Sequence, residues 1–344
     1  MAKCSVEVQN IVRGMLQSGL VEEVLAFVSG LHESDIVPQF IADVKDIERI
    51  VTLSYYPCSL AKLVAEYGEM GKKIGMVARS CDVRAAVELA KRQQINLDNL
   101  YVIGIECYGV VTTGDSKGKV YVFPEEMEID GKRKPLDRDA IAPHCLRCEY
   151  PIATMADVNC RIESDEGCSV TANTDKGKTI LAAAKISVQE GPQSDVSKVK
   201  ERALNQQAAE FNELKNMNPK ERLNYWLAQF DKCIKCYGCR NACPICYCKD
   251  CYLGPDKALV QRGGLPPERI FHIGRLLHIG DSCVDCGQCE TTCPMGIPVS
   301  KLYHMLYKEL SPIFDYEAGF DLESLPPVST ISTKDLTNTG VCFD

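Results

Sequence analysis

The apolar residues of the first hundred positions fall into helical stripes and short unbroken runs. Val8, Ile11, Val12, Met15 and Leu16 recur at helical spacing, and Val24 to Val28 form a compact run closed by Ser29-Gly30, which predicts a helix and then a short buried strand. Leu60, Leu63, Val64 and Tyr67 share another helical face, followed by Lys73-Ile-Gly-Met-Val-Ala78 as a strand ending at Cys81. Val83, Ala86, Val87 and Ala90 mark the next helix, and Leu100-Tyr-Val-Ile-Gly-Ile105 the next strand, ending at Cys107. Strand, helix and strand in that order are a βαβ unit, which implies a parallel sheet. Between Val120 and Lys134, Val-Tyr-Val-Phe-Pro and Met-Glu-Ile-Asp-Gly read as a β-hairpin that delivers the chain to His144-Cys145-Leu-Arg-Cys148.

The second half is helical in pattern. Asp195 to about Met217 is charged, with Val196, Val199, Ala203, Phe211 and Leu214 as an imperfect apolar stripe, and reads as a helical linker. Asn218-Pro219-Lys-Glu221 then offers a cap, a first-turn proline and an acidic third position, the start of a new helix. Its apolar face is Leu223, Trp226, Leu227 and Phe230, with Trp226 assigned to core packing. Two more helices are predicted, from Pro266 to Gly280 and from Val299 to Leu310. From Ser311 the helical periodicity stops and the tail looks extended, while Phe314, Tyr316 and Phe343 favour docking on another subunit.

Cysteine changes this picture most. Cys233-Ile-Lys-Cys236-Tyr-Gly-Cys239-Arg-Asn-Ala-Cys243-Pro244 is answered by Cys283-Val-Asp-Cys286-Gly-Gln-Cys289-Glu-Thr-Thr-Cys293-Pro294. Three thiolates two residues apart can wrap one face of a 4Fe-4S cubane, while the fourth, before proline, leads to the neighbouring cluster. One cluster is therefore assigned to Cys233, Cys236, Cys239 and Cys293, and a second to Cys283, Cys286, Cys289 and Cys243. A pair of zinc sites is the bland alternative, but zinc has no use for the three-residue step before proline. Helix, cysteine run and helix in succession resemble the α-helical ferredoxins of heterodisulfide and succinate reductases.

In open α/β sheets ligands gather at the carboxyl ends of the strands, so Cys81 and Cys107 are expected side by side. With Cys145 and Cys148 they make a third 4Fe-4S site; the alternative is two unligated buried cysteines beside a redox or zinc pair. Cys246-Tyr-Cys248-Lys-Asp-Cys251 adds three thiols within six residues. They either help hold an additional cluster or metal, with Cys160, Cys168 or Cys58 as the fourth ligand, or displace some of the ligands just assigned.

A length of 344 residues leaves room for two or three domains, and 45% apolar with 25% charged residues describes a packed chain. Net charge −8, no basic block and a single Trp argue against nucleic-acid binding. Twenty cysteines in a chain this long read as metal ligands in a reducing compartment. The start, Met-Ala-Lys-Cys-Ser-Val-Glu, lacks a signal-peptide core, and the apolar run near Leu100 to Val111 is shorter than the roughly 18 residues of a membrane span. A cytoplasmic protein without a membrane span is expected. No G-x-G-x-x-G fingerprint is present, so Gly71, Gly75 and Gly104 are read as packing or turn residues. Nor is there an acid, base and nucleophile constellation, or a site for molybdenum or nickel.

Ala78-Arg-Ser-Cys81, Gly104-Ile-Glu-Cys107, Cys145-Leu-Arg-Cys148-Glu, Ala156-Asp157-Val, Gly167 and Thr174-Asp-Lys-Gly177 resemble the beta-subunit family of deazaflavin (coenzyme factor-420) hydrogenases and formate dehydrogenases, over about residues 40 to 190. The resemblance implies a flavin, FAD, beside a 4Fe-4S cluster, exchanging a hydride with a soluble nicotinamide or deazaflavin. By position it makes Cys81, Cys107, Cys145 and Cys148 the cluster ligands and sets Asp157 and Gly167 along the flavin. Arg79-Ser80 and Asn159-Cys160 depart from the family's pattern, which keeps open a flavin-free wiring subunit.

The expected architecture is an α/β flavin-type domain with a parallel βαβ core (residues 1–190), a helical linker (191–230), a mainly α-helical 2×(4Fe-4S) ferredoxin domain (231–310) and an extended tail (311–344). The expected role is an electron-transfer subunit of an anaerobic multi-subunit oxidoreductase. It would relay electrons between the catalytic partner of a formate dehydrogenase or hydrogenase, or an NAD(P)H or deazaflavin donor, and a heterodisulfide-reductase-like flavoprotein.

Overall fold

The computed structural model describes residues 3–30, 35–69, 71–111, 119–162, 168–187, 195–254 and 269–327. Its organising element is a six-stranded sheet made of β1 (Glu23–Ser29), β2 (Ile36–Ile41), β3 (Ile74–Arg79), β4 (Leu100–Ile105), β8 (Val158–Ile162) and β9 (Cys168–Ala172), in the order β2-β1-β3-β4-β8-β9. The pairs β1/β3, β3/β4 and β4/β8 are parallel, while β2 and β9 close the edges antiparallel. Every residue of β3 and β4 is buried, because helices cover both faces; that is why these strands read as unbroken apolar runs.

One face carries α1 (Lys3–Gln17) and α5 (Asp175–Ala183), whose Ile11, Met15, Ile180 and Leu181 meet Val24, Val77 and Ile103 of the sheet. The other carries α2 (Leu60–Tyr67) and α3 (Ser80–Lys91), where Leu60, Val64, Ala86 and Leu89 meet Leu25, Met76 and Val102. The expected α/β class and its parallel core are present. Strands β2, β8 and β9 had no clear pattern in the sequence: β2 is half-buried and holds Pro38, and β8 and β9 are short.

The hairpin forms as β5 (Val120–Val122) and β6 (Glu126–Ile129), and gains a third strand, β7 (Lys132–Pro135), whose polar side chains hid it. The short helix α4 (Pro143–Leu146) follows. The stripe of α6 (Ser197–Lys215) is buried along its length, so this helix lies against the hairpin layer and the loop after α4, through Val199 and through Gln207 donating to the Arg147 carbonyl. In α7 (Pro219–Phe230) the Asn218 and Glu221 side chains form a reciprocal capping box, as the pattern predicted. Trp226 is buried with Phe211, Leu214 and Phe230.

Helices α8 (Gly238–Ala242), α9 (Arg269–Ile279), α10 (Gln288–Thr291) and α11 (Val299–Phe314) complete the described chain. Of the helix expected from Pro266 to Gly280, residues 266–268 lie outside the described residues, and α9 is seen from Arg269 to Ile279. The extended tail expected from Ser311 is corrected at its start. Helix α11 runs on through Pro312 to Phe314, and Tyr316 and Ala318 are buried, because the Tyr316 hydroxyl donates to Glu88 of α3 over 2.6 Å. Phe343 lies outside the described residues. Among the described residues no helix is long and apolar enough to cross a membrane.

Candidate metal centres

The two cysteine runs fold as near copies of one another. In the first, Lys235 (φ 51°) and Tyr237 (φ 62°) flank Cys236 in the left-handed region; in the second, Asp285 (φ 50°) and Gly287 (φ 69°) flank Cys286 in the same way. The turns aim backbone N–H groups at sulfur. The Lys235 amide donates to Cys233 Sγ over 3.3 Å, the Asp285 amide acts on Cys283, and the Gln288 amide on Cys286. Amide donors aimed at individual cysteine sulfurs favour negative charge there, so this donor set fits thiolates of an iron-sulfur cluster. Within each run a short helix, α8 or α10, carries the third cysteine near its start and leads to the fourth, Cys243 or Cys293, which reaches the neighbouring copy.

The structure brings Cys233 within electrostatic reach of Cys236, Cys239 and Cys293, and Cys289 within reach of Cys283 and Cys286, while Cys243 pairs first with the Cys246 thiol and also feels Cys286. Burial pushes the Cys283 and Cys286 thiols up to about 12. A metal bound here would displace protons from these thiols. Among the described residues no three His, Cys, Asp or Glu side chains close on a point as they would around a single ion; ligands around a cubane stand farther apart.

Cys81, Cys107, Cys145 and Cys148 line one cavity together, shared with His144, Asp285 and Cys286. Cys81 does not end its strand: β3 stops at Arg79, and Cys81 sits in the first turn of α3. Cys107 follows β4, while α4 and the turn after it supply Cys145 and Cys148. Around them, Arg79 donates to the carbonyls of Leu53 and Tyr55. Burial lowers His144 to about 4, so its ring is neutral near pH 7. Burial alone would raise the Asp285 carboxyl, but His304, with Nδ1 at 3.0 Å, and Arg147 beside it hold it below the usual range. Neither contact could be read from the chain, because His144, Arg147 and His304 come from other elements.

Cys246, Cys248 and Cys251 line a second cavity of about 430 Å³ with Arg92, Arg240, Arg275 and His278, and Cys246 ties it to the assigned ligands through its contact with the Cys243 thiol. Two of the cysteines considered as a fourth ligand lie elsewhere. Cys160 and Cys168 sit on β8 and β9 with Cys4 of α1, and Cys4 Sγ is 2.6 Å from Cys168 Sγ. Cys58 is packed near Asp82, where burial pushes its thiol up to about 12. Of the residues set along a flavin, Asp157 spends both carboxylate oxygens inside the fold, one on the Val102 amide (2.8 Å) and one on the Thr174 hydroxyl (2.6 Å). Gly167 lies outside the described residues. Sequence reasoning missed Arg275 altogether; its place on the inner face of α9 has no local signal.

Residues 71–195 match the family described as the C terminus of the coenzyme F420 hydrogenase/dehydrogenase beta subunit. The F420-dependent formate dehydrogenase subunit beta of Methanocaldococcus jannaschii is 31% identical over 96% of this chain and 95% of its own. The F420-dependent formate dehydrogenase 1 subunit beta of Methanococcus maripaludis is 30% identical over 94% and 93%. A solved structure of the F420-reducing [NiFe] hydrogenase complex from Methanosarcina barkeri aligns with a TM-score of 0.47 at 15% identity, over 59% of this chain and 83% of that one. The chain belongs to the family of coenzyme F420 hydrogenase and formate dehydrogenase beta subunits.

Proposed function

We propose that this chain is the iron-sulfur electron-transfer subunit of a multi-subunit oxidoreductase, with residues 231–310 acting as a dicluster ferredoxin unit beside the α/β unit. Cys81, Cys107, Cys145 and Cys148 would hold one 4Fe-4S cluster, Cys283, Cys286, Cys289 and Cys243 a second, and Cys233, Cys236, Cys239 and Cys293 a third. Such clusters supply one-electron steps. The chain's own part is to hold the thiolates, donate amide hydrogen bonds to them and keep water out.

The observation that carries this reading is Cys286. It belongs to the second thiol set and lines the cavity of the first, while Cys289 of the same set is within electrostatic reach of Cys239 in the third. The relatives' names point to the catalytic partner of a formate dehydrogenase or hydrogenase on one side and to F420 as the soluble carrier; a heterodisulfide-reductase-like flavoprotein is the proposed partner on the other side.

Two forms of the relay differ in FAD. The form with FAD rests on the family. The flavin-free form is favoured by Asp157, whose oxygens are both engaged within the fold. Acid release of flavin from anaerobically purified protein separates them.

Iron and sulfide analysis with paramagnetic resonance after dithionite tests the whole reading. About twelve irons per chain are expected for three cubanes, and about sixteen if Cys246, Cys248 and Cys251 hold a further one. Protein that is colourless and silent in resonance would overturn it.

A further inference from the structure

Arg275 is a buried cation surrounded by sulfur. It projects from α9, is 2% exposed, and lies among Cys239, Cys243 and Cys246, with Cys289 also feeling its charge. One nitrogen, Nη2, donates to the Cys239 carbonyl over 3.1 Å and stands 3.8 Å from Cys246 Sγ. Nε and Nη1 have no partner among the described residues. The rest of the guanidinium is walled by aromatic rings, Tyr303 at 5.3 Å and Phe271 at 5.9 Å. None of the leading electrostatic partners that act on it is a carboxylate.

A guanidinium taken out of water without a counter-charge is costly. Neutral thiols do not offset that cost, while a thiolate at Cys246, whose Sγ stands 3.8 Å from Nη2, offsets part of it. Thiolate-ligated clusters do, and each does so more fully after it gains an electron, because its negative charge grows by one while the arginine stays fixed. The free N–H groups point the same way, since hydrogen bonds to cluster sulfur are among the levers that set cluster potentials.

We propose that Arg275 is a potential-setting residue. Its charge stabilises the reduced form of the clusters assigned to Cys239 and to Cys243 with Cys289, and so raises their reduction potentials. The step it biases is the transfer of one electron from a neighbouring cluster, with no bond made or broken and no proton moved. The proposal rests on the three-cluster reading above and adds the factor that makes two of those clusters better acceptors.

The test is a redox titration of the full chain, prepared anaerobically and followed by paramagnetic resonance, for wild type, Arg275→Gln and Arg275→Lys. Loss of the charge in Arg275→Gln is expected to lower the reduction equilibrium constant of at least one ferredoxin-type signal tenfold or more, which is about 59 mV for a one-electron couple. Arg275→Lys, which keeps the charge, is expected to stay within about threefold of wild type. Unchanged potentials in an iron-replete Arg275→Gln protein would overturn the proposal, as would a shift in Arg275→Lys as large as in Arg275→Gln. If Arg275→Gln does not take up iron, Arg275→Lys decides: full iron with near-native potentials supports the role of charge. Lost iron or tenfold lower potentials in the lysine protein assign the residue to packing. Wild type with no iron and no signal is a different result, the failure of the cluster reading itself.

Discussion

Gly287 lies flat against the imidazole of His144: a Cβ built on Gly287 would fall 2.0 Å from the ring's Cγ. Each is the neighbour of a cysteine, Cys286 in one case and Cys145 in the other, so one contact sets the spacing of two thiol sets. Gly287 also holds φ at +69°, which a side chain disfavours. Gly287→Ala is expected to cost about 2–4 kcal/mol, the sum of a clash in a filled core and a strained backbone. A denaturant midpoint equal to wild type would contradict this packing.

Cysteine substitutions should separate the sets. Cys81→Ser is expected to remove about four irons and leave the signals of the two ferredoxin-type sites in place. Cys286→Ser should remove a similar amount and also alter the relaxation of the signal from the Cys81 site, because Cys286 lines that cavity. Indifference of that signal to Cys286→Ser would break the proposed order of the relay.

Asp82 is a buried hub joining α2 to α3. One carboxylate oxygen accepts from the Tyr56 hydroxyl at 2.5 Å, the Ser59 hydroxyl at 3.0 Å and the Leu60 amide at 2.8 Å. Asp82→Ala strands all three donors and is expected to cost about 3 kcal/mol, whereas Asp82→Asn keeps an acceptor and should cost about 1–2 kcal/mol. Comparison of the two unfolding midpoints checks the order, and equal costs would mean that the lost charge, not the hydrogen bonding, dominates here.

Glu88 ties the segment after α11 to α3. Burial by itself would raise its carboxyl, but hydrogen bonds from Tyr316 and Arg92 and the charge of Lys91 hold it below the usual range. A depressed carboxyl contributes stability in full above its unfolded value, about 4.3, and that contribution is lost as pH falls through the lower folded value. The Gly319 amide, which donates to Glu88 over 2.9 Å, should therefore keep its exchange protection at pH 6 and lose it below about pH 4. Glu88→Gln should weaken that protection already at neutral pH, by about 1–2 kcal/mol. Protection unchanged in the variant would show that the segment is held by Tyr316 and Ala318 packing alone.

Much of this molecule was legible from local pattern. The buried strands Ile74–Arg79 and Leu100–Ile105, the helices around them and the capping box at Asn218 each depend on residues a few positions apart. So does the backbone of the two cysteine runs, where a short repeat puts left-handed residues on either side of Cys236 and Cys286. Polar edge elements such as β7 and β9 were not legible, because a strand exposed on one side has no apolar run to announce it.

What tertiary structure alone decided is which distant groups share a cavity. That Cys286 reaches the Cys81 set, that Gly287 rests on His144, and that Tyr316 returns to Glu88 all follow from how the cysteine-rich half packs on the sheet. Arg275 is the clearest case: along the chain it is one charge in a helix, and only folding removes its water and surrounds it with sulfur. Bonding patterns that repeat over a few residues are written in the sequence, whereas desolvation and the meeting of distant charges belong to the packed chain, because both depend on what every other element excludes.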